Sequence, residues 1–235
     1  MAEGISLQLR LQDDDGAGAG DEIAVPVEAL VIAGWTGRDA AAVEAHIAEL
    51  EAIGVPRPAT VPCYYRVAAG LLTTEDSIQV PGAESSGEVE FVLFGSRDGM
   101  FIGVGSDHTE RKVESYSITV SKQMCAKPVA PEVWRFADVV NHFDMLILRS
   151  WAVDSGGRRL YQEGEVGAMR PPAQLVGLYL DNGVTLPHAT AMFCGTLAVE
   201  GDIAPAGRFE FELEDPVLGR TIRHGYNVAT LPVTG

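Results

Sequence analysis

Glu88-Val89-Glu90-Phe91-Val92-Leu93-Phe94 is the stretch that decides the fold, because two acids lead directly into an unbroken apolar run. Short apolar runs bounded by turn residues are typical of buried strands. Residues 100–104 form a second apolar run, and the Asp98-Gly99 dipeptide before it is a strong turn signal. The sequence therefore predicts a β-hairpin with strands at 88–94 and 100–104.

Carboxylates lie at the start of this predicted hairpin. Side chains two apart on a strand share a face, so Glu88 and Glu90 project together. Adjacent carboxylates repel, and burying one without a partner is costly. Asp107, in the polar stretch that follows, offers a third acid. Three carboxylates suit a hard cation such as magnesium, manganese or calcium. A solvated strand end with an acid in the next turn is the alternative.

The composition favours a β-rich domain with a sizeable core. The chain has 235 residues, 46% of them apolar, and its 26 glycines and 13 prolines indicate many short strands and turns. A formal charge of −16 argues against nucleic acid or an anionic membrane as a partner. Cys63, Cys125 and Cys194 are far apart, so neither a disulfide framework nor a zinc site is indicated. The N terminus does not resemble a signal peptide, and we expect a reducing, cytoplasmic setting.

Residues 39–53 are the clearest predicted helix. Val43, Ile47 and Leu50 form an apolar stripe at helical spacing, Asp39 fits the helix start, and Gly54 fits its end. The other predicted elements are a polar loop at 13–21, a short helix at 172–180, and strands at 5–11, 28–33, 64–72, 77–80, 117–120, 144–151, 191–194 and 209–213. No internal repeat or linker divides the chain, so we expect one domain over residues 1–235.

A histidine and a glutamate lie one turn apart on the predicted helix. His46 and Glu49 are neighbours on its surface, since residues three apart share a helix face. A carboxylate beside an imidazole orients the ring and favours its role as a general base. His46 also lies beside the apolar stripe, which indicates that it faces inward. The alternative is a surface ion pair at the edge of an amphipathic helix.

Several polar residues follow the acids along the chain. Asp107 and Arg111 share a face if their segment is extended, and the arginine fork would suit a substrate carboxylate or enolate. An internal Asp107–Arg111 salt bridge is the alternative. Lys122 follows a β-branched run and could stabilise an oxyanion, although most lysines are solvated. Gly195-Thr196 could hold a substrate oxygen at a strand end, or form an ordinary turn.

Three further residues have two interpretations each. Cys125 and Cys194 could be nucleophiles, but no base is evident near either, so buried small hydrophobic residues are the better interpretation. His108, next to Asp107, could be a metal ligand, but adjacent residues of a strand face opposite ways.

Taken in order, these motifs resemble those of the fumarylacetoacetate hydrolase superfamily. That family shows a glycine-aromatic stretch, a helical His-x-x-Glu, an aromatic segment, Glu-x-Glu, Asp-x-Ser-x-Arg, a lysine, and later a Gln and a Gly-Thr. The matching stretches are Ala33-Gly34-Trp35, His46-Ile47-Ala48-Glu49, Cys63-Tyr64-Tyr65-Arg66, Glu88-Val89-Glu90-Phe91, Asp107-His108-Thr109-Glu110-Arg111, Ser121-Lys122, Leu160-Tyr161-Gln162-Glu163-Gly164 and Cys194-Gly195-Thr196-Leu197. These stretches extend over residues 31–220. Together they resemble those of an uncharacterised bacterial branch of the superfamily, which is described as a domain of unknown function.

The resemblance implies a mainly β (α+β) fold, a mixed β-sandwich roll with few short helices. Residues 31–220 would form the catalytic core, after N-terminal strands and a loop in residues 1–30. Family members are usually homodimers. The implied metal ligands are Glu88, Glu90 and Asp107, for Mg²⁺ or Mn²⁺ with Ca²⁺ as a third candidate. The implied catalytic and substrate-binding residues are the water-activating pair His46 and Glu49, then Lys122, Arg111, Thr196 and Gln162.

The implied activity is hydrolysis of a carbon–carbon bond in a small α-keto or 1,3-dicarbonyl acid of the acylpyruvate kind. Decarboxylation or tautomerisation of a keto acid is the first alternative, and hydrolysis of another bond is the second. A non-catalytic small-molecule-binding protein on the same scaffold is the alternative from another class. The chain departs from the family pattern at Lys112, at Glu114 or Ser115, at 129–131 and at Pro187-His188, which leaves the substrate open.

Overall fold

The predicted hairpin lies at the centre of the larger of two sheets. A computed structural model describes residues 4–12, 20–52 and 57–234, without the side chains of His46 and Leu50. With strands numbered along the chain, the eight strands of this sheet are, in spatial order, β2 (Asp21–Val27), β1 (Ile5–Leu11), β12 (Glu132–Arg135), β9 (Gly99–Ser106), β8 (Val89–Ser96), β15 (Thr190–Thr196), β3 (Ala29–Gly34) and β4 (Cys63–Val67).

A second sheet faces the first. Its five strands are, in spatial order, β14 (Gly157–Glu165), β13 (Ile147–Asp154), β16 (Arg208–Asp215), β17 (Arg220–Leu231) and β6 (Ser77–Pro81). Two short ladders pair β7 (Ser85–Ser86) with β10 (Thr109–Glu110), and β5 (Leu72–Thr73) with β11 (Lys127–Pro128). Both large sheets are mixed, since β1 and β12, β3 and β15, and β6 and β17 run parallel while most other pairs are antiparallel.

Helices are few and short. Within the described residues they are α1 (Ala40–Ala52), α2 (Arg111–Glu114), α3 (Ile118–Gln123), α4 (Phe136–Val139) and α5 (Pro172–Tyr179), with single 3₁₀ turns at Ala69–Leu71, Phe143–Met145 and Val166–Ala168. None of these helices is both long enough and apolar enough to cross a bilayer. The predicted mainly β, α+β class is confirmed.

The structure explains why residues 91–94 of strand β8 are all apolar. Phe91 and Leu93 belong to the core cluster between the two sheets, which also contains Phe211. Val92 and Phe94 point the other way, into a second cluster enclosed by the curled eight-stranded sheet. A strand buried on both faces has no solvent side, so its hydrophobic run is continuous instead of alternating. The arrangement is a curled β-sandwich roll, as predicted.

Most predicted elements are present, with shifted ends. The hairpin pairs Phe94 with Phe101 and turns at residues 97–98. The helix predicted at 39–53 is α1, and Asp39 caps it by accepting hydrogen bonds from the backbone N–H groups of Ala41 and Ala42 at 2.9 and 3.1 Å. The helix predicted at 172–180 is α5. The predicted helix stop at Gly54 and most of the loop at 13–21 lie outside the described residues.

Three strand predictions are wrong in part or entirely. Residues 117–120, predicted as a strand, form the start of α3, where the Ser117 hydroxyl caps the helix by accepting from Val120 N–H. β-Branched residues cost only about 0.7 kcal/mol or less in a helix, so a cap and burial of one face outweigh their strand preference. The strand predicted at 64–72 is broken by a 3₁₀ turn, and that predicted at 144–151 begins only at Ile147.

Strand β2 is one of several strands that were not predicted, together with β12, β14 and β17. Its acidic start and its proline both disguise it. β2 reads Asp21-Glu22-Ile23-Ala24-Val25-Pro26-Val27 and pairs with β1. Pro26 lacks a backbone N–H and is tolerated because β2 is the edge strand of the sheet. The edge position, which sequence periodicity does not reveal, permits the proline.

Candidate metal centre

Three carboxylates meet at one end of the β8–β9 hairpin. Glu90 on β8 is paired with Gly105 on β9, and Asp107 follows directly after that strand. One oxygen from each of Glu88, Glu90 and Asp107 lies within 4.8 Å of the others. Glu90 and Asp107 are buried and Glu88 is partly buried. The solvated strand end considered from the sequence is therefore wrong for this cluster.

Backbone contacts on both sides hold Asp107 in place. Its N–H donates to the Glu88 carbonyl at 2.9 Å, which continues the hairpin ladder past the end of β9. Gly105 permits the segment at 128–130 to lie directly over this end, since a Cβ there would be 2.8 Å from both the Pro128 carbonyl oxygen and Val129 Cγ1. This close approach restricts the end of β9 from which Asp107 follows.

Three cations surround the carboxylates. Lys122 Nζ contacts Asp107 Oδ2 and lies 3.4 Å from Glu88 Oε2, while Lys127 Nζ lies 2.9 Å from Asp107 Oδ1. Arg111 Nη1 lies 2.9 Å from Glu88 Oε1 and 3.0 Å from Glu114 Oε2. The Asp107–Arg111 bridge left open above is not formed, because α2 begins at Arg111 and turns its side chain toward Glu88.

Two members of this cluster were missed by the sequence analysis as site residues. Lys127 is completely buried, and its Nζ also donates to the His108 carbonyl at 2.6 Å. Glu114 reaches Arg111 from the end of α2. No motif distinguishes Lys127 from a surface lysine; only the ladder between β11 and β5 places it inside.

Charge balance determines the electrostatics of the cluster. Burial raises the pKa of Glu90 well above its ordinary value, and repulsion from Asp107 and Glu88 raises it further. Burial also acts to raise the pKa of Asp107 and of Glu88, but the adjacent cations outweigh it and lower both values. Counting Glu114, the cluster places four carboxyl groups against three cations.

The residues present fit a divalent cation. Their three ligand atoms are all carboxylate oxygens, the donors that Mg²⁺, Mn²⁺ and Ca²⁺ prefer. A bound cation would offset the repulsion that raises the pKa of Glu90, whereas the lysines already neutralise Asp107. Among the described residues Glu90 has no ion-pair partner, so it is the carboxylate that gains most from a metal.

Gly195 directs its backbone at Glu90. The β15 ladder is irregular between Phe193 and Thr196, and Gly195 adopts a φ of 103° there. Its N–H donates to Glu90 Oε2 at 2.6 Å. Any Cβ at this position would be 1.7 Å from Thr36 Oγ1, so both the conformation and the space require glycine.

Thr196 and Gln162 form a support behind β8. The Thr196 hydroxyl donates to the Val89 carbonyl at 2.8 Å and accepts from Gln162 Nε2 at 2.7 Å. Gln162 is completely buried, and its Oε1 accepts from Val89 N–H and Ser150 Oγ, each at 3.0 Å. The amide of Gln162 is therefore engaged by the protein at both ends, and substrate binding by either residue stays a prediction.

The predicted dyad lies on α1. Ile47 is buried beneath this helix and Glu49 is exposed, while the side chain of His46 is outside the described part of the chain. The pairing of His46 with Glu49 therefore stays a prediction.

His108 does not belong to the carboxylate cluster. Its Nδ1 lies 2.8 Å from Tyr226 Oη and its Nε2 lies 2.9 Å from Ser85 Oγ, so both ring nitrogens are engaged on the side away from Asp107. Burial, together with the Lys127 and Arg111 charges, lowers the pKa of His108 to about 3. The imidazole is neutral at pH 7, and its interpretation as a metal ligand is wrong.

The cysteines are expected to differ sharply in reactivity. Burial raises the pKa of Cys125 to about 11 and that of Cys194 well above its ordinary value, and both side chains are completely buried. Only Cys63 is partly exposed. Because the thiolate is the reactive form, a thiol reagent at pH 8 should label Cys63 alone in the native protein and all three thiols after unfolding. Cys63→Ser should remove the native labelling; labelling of a second native thiol would contradict the burial.

Comparisons with known proteins identify a family and a fold. Residues 33–226 match a family described as protein of unknown function (DUF2848). No curated protein sequence matches the chain. A yeast protein of the fumarylacetoacetate hydrolase family has a similar structure, with 16% identity and a TM-score of 0.63 over 89% of this chain and 96% of that one. A fumarylpyruvate hydrolase from Pseudomonas aeruginosa, solved with Mn²⁺ and pyruvate, is 16% identical over 98% of each chain, with a TM-score of 0.62.

Proposed function

Because the chain belongs to the DUF2848 family and has the fumarylacetoacetate hydrolase fold, we propose that it is a divalent-metal-dependent hydrolase. Its substrate would be a small α-keto or 1,3-dicarbonyl acid, cleaved at a carbon–carbon bond. The observation that carries the proposal is the buried cluster of Glu88, Glu90 and Asp107. The similar Pseudomonas aeruginosa enzyme, in complex with Mn²⁺ and pyruvate, supports both a divalent ion and a keto acid.

The three carboxylates would hold Mg²⁺ or Mn²⁺, with Ca²⁺ as a third candidate. When bound, such an ion polarises a carbonyl group as a Lewis acid. Lys122 and Arg111 lie directly beside the carboxylates, at 3.4 and 2.9 Å from the two oxygens of Glu88. These two cations would bind the substrate's oxygens and stabilise the negative charge that develops on them. Thr196 and Gln162 would complete the substrate side of the site.

His46, oriented by Glu49, would take a proton from the attacking water. The water oxygen bonds to the substrate carbonyl carbon. The bond between that carbon and the neighbouring carbon then breaks, and its electron pair stays with the fragment that carries the neighbouring carbon. That fragment leaves as an enolate, whose negative charge Lys122 and Arg111 stabilise. The proton held by His46 then returns to the enolate carbon, so that one water is added across the broken bond.

The proposal also covers domain organisation, oligomeric state and cellular setting. We propose a single domain over residues 1–235 with its catalytic core in residues 31–220. Homodimer formation rests on the family resemblance, and a cytoplasmic setting rests on the cysteine pattern. The formal charge of −16 makes nucleic acid and anionic membranes unsuitable partners.

The test of this proposal is turnover of acylpyruvates by chelator-treated protein with Mn²⁺ added back. Two products whose masses add up to the substrate plus one water support hydrolysis, whereas loss of carbon dioxide or an unchanged mass would identify decarboxylation or tautomerisation instead. His46→Ala should keep Mn²⁺ binding and lose roughly 10²- to 10⁴-fold in rate, the usual contribution of a general base. His188→Ala, at an exposed histidine, is the matched control and should be fully active. An active His46→Ala protein would exclude this mechanism.

A further inference from the structure

A chain of hydrogen bonds runs behind the candidate metal centre, on the side opposite the carboxylates. Ser85 Oγ lies 2.9 Å from His108 Nε2, and His108 Nδ1 lies 2.8 Å from Tyr226 Oη. Tyr226 Oη also lies 2.8 Å from Ser106 Oγ, which accepts from the Glu88 N–H at 3.2 Å. The side chains of Ser85, Ser106, His108 and Tyr226 are all buried.

This chain of hydrogen bonds engages the residues on both sides of Asp107. Ser106 and His108 project to the face opposite Asp107, and both contact the same phenol oxygen of Tyr226. Tyr226 belongs to β17 of the five-stranded sheet, whereas Asp107 follows β9 of the eight-stranded sheet. One hydroxyl group therefore ties the segment carrying Asp107 to the opposite sheet.

The same hydroxyl group also limits the position of Glu88. The Glu88 N–H is anchored on Ser106 Oγ, one bond away from Tyr226. At Gly87, a Cβ would be 2.8 Å from Tyr226 Oη and 3.0 Å from Ser106 Oγ. The backbone before Glu88 thus packs directly against the phenol, which leaves little freedom for the first carboxylate to move away from the other two.

We propose that the Tyr226 hydroxyl group is a positioning group for the metal ligands Glu88 and Asp107. It acts through Ser106 and His108, without touching the metal or the substrate. This inference rests on the proposed function, because it concerns the same carboxylate site. Groups that orient metal ligands typically contribute 10- to 100-fold to metal affinity, so about a tenfold loss is expected when the hydroxyl group is removed.

The protein offers a matched control at Tyr161. Like Tyr226, it is completely buried, belongs to the core between the sheets and contacts Phe209. Its hydroxyl group, however, has no hydrogen-bond partner among the described residues. Tyr161→Phe and Tyr226→Phe thus remove the same atom from the same core, but only the second change interrupts the chain.

The experiment is Mn²⁺ binding to the full-length protein, followed by the electron paramagnetic resonance signal of free Mn²⁺ at a temperature where every variant is folded. Tyr226→Phe and Ser106→Ala should each weaken binding about tenfold. Because both belong to one chain, the double variant should bind about as weakly as either single variant. Tyr161→Phe should bind like wild type. A change that affected only global stability would not alter the affinity of the folded protein.

The outcomes separate this inference from the function on which it rests. Wild-type affinity in Tyr226→Phe would overturn the inference and leave the metal site standing. Absence of Mn²⁺ binding in the wild type would overturn the proposed metal dependence and the inference together. Equal losses in Tyr161→Phe and Tyr226→Phe would also overturn it, because the effect would then arise from the core in general. If Tyr226→Phe does not fold, Ser106→Ala decides by the same comparison.

Discussion

Glu90→Gln is expected to abolish stabilisation by Mn²⁺ without weakening the metal-free protein. The glutamine amide oxygen can still accept the Gly195 N–H that Glu90 Oε2 accepts at 2.6 Å. The substitution removes the negative charge of the Glu90 carboxylate, which a divalent cation requires. At Mn²⁺ concentrations roughly 100 times its Kd, the wild type should gain about 2.7 kcal/mol of unfolding free energy, and the variant almost none. Activity with a keto acid should disappear with the metal.

In the absence of metal, the difference in stability between the wild type and Glu90→Gln should depend on pH. Burial, and repulsion by Asp107 and Glu88, raise the pKa of Glu90 above its value in the unfolded chain. The folded wild type then binds more protons than the unfolded chain, so this group's contribution to stability falls as pH rises from the unfolded pKa to the higher pKa of the folded state. Glu90→Gln should match the wild type near pH 4, where Glu90 is protonated, and exceed its stability at pH 7.

The measurement is thermal unfolding of chelator-treated protein with and without Mn²⁺ at both pH values. Glu84→Gln is the matched control, since it makes the same chemical change at an exposed glutamate. It should retain the full stabilisation by Mn²⁺. An equal stabilisation of Glu90→Gln and wild type would show that the three carboxylates do not form the metal site.

Lys127→Met should destabilise the protein by about 3 to 5 kcal/mol, the typical cost of removing one partner of a buried ion pair. The Lys127 ammonium is completely buried between Asp107 Oδ1 at 2.9 Å and the His108 carbonyl at 2.6 Å. Methionine has a similar volume, so the change leaves no large cavity. Asp107 would keep only Lys122 as a counter-charge, and the His108 carbonyl would lose its donor.

Urea unfolding in the absence of metal measures this effect as a lower midpoint at an unchanged slope. Lys112→Met is the control, because Lys112 is exposed on α2 and a change there should stay within about 0.5 kcal/mol of wild type. A stable Lys127→Met protein would show that Asp107 does not depend on this ammonium group.

The part of the site that could be predicted from the sequence lies within one hairpin. The β-strand period places Glu88 and Glu90 on the same face, and the turn at Asp98-Gly99 brings the following strand back beside them. Asp107 follows that strand directly, so its approach to the two glutamates needs only local pairing. The fold class was also predictable, because apolar runs of strand length recur along the chain.

The rest of the site depends on contacts that spacing does not reveal. The bond between His108, just after β9, and Tyr226 on β17 joins residues 118 positions apart. Lys127 is inside only because β11 pairs with β5, and Arg111 turns to Glu88 because a helix begins there. The strand predicted at 117–120 failed for a related reason, since the Ser117 cap and the ion pairs of Lys122 with Asp107 and Glu88 outweighed the preference of its β-branched residues.

The sequence by itself determined the class of fold, the central hairpin and the three acids, because each follows from periodicity and turn chemistry over a few neighbouring residues. Only the tertiary structure decided which cation neutralises which carboxylate, which face of each strand is buried, and which hydroxyl group contacts both neighbours of Asp107. These depend on burial and on pairing between distant segments. The energy of a charge or a hydrogen bond is determined by what surrounds it in space, and not by its neighbours along the chain.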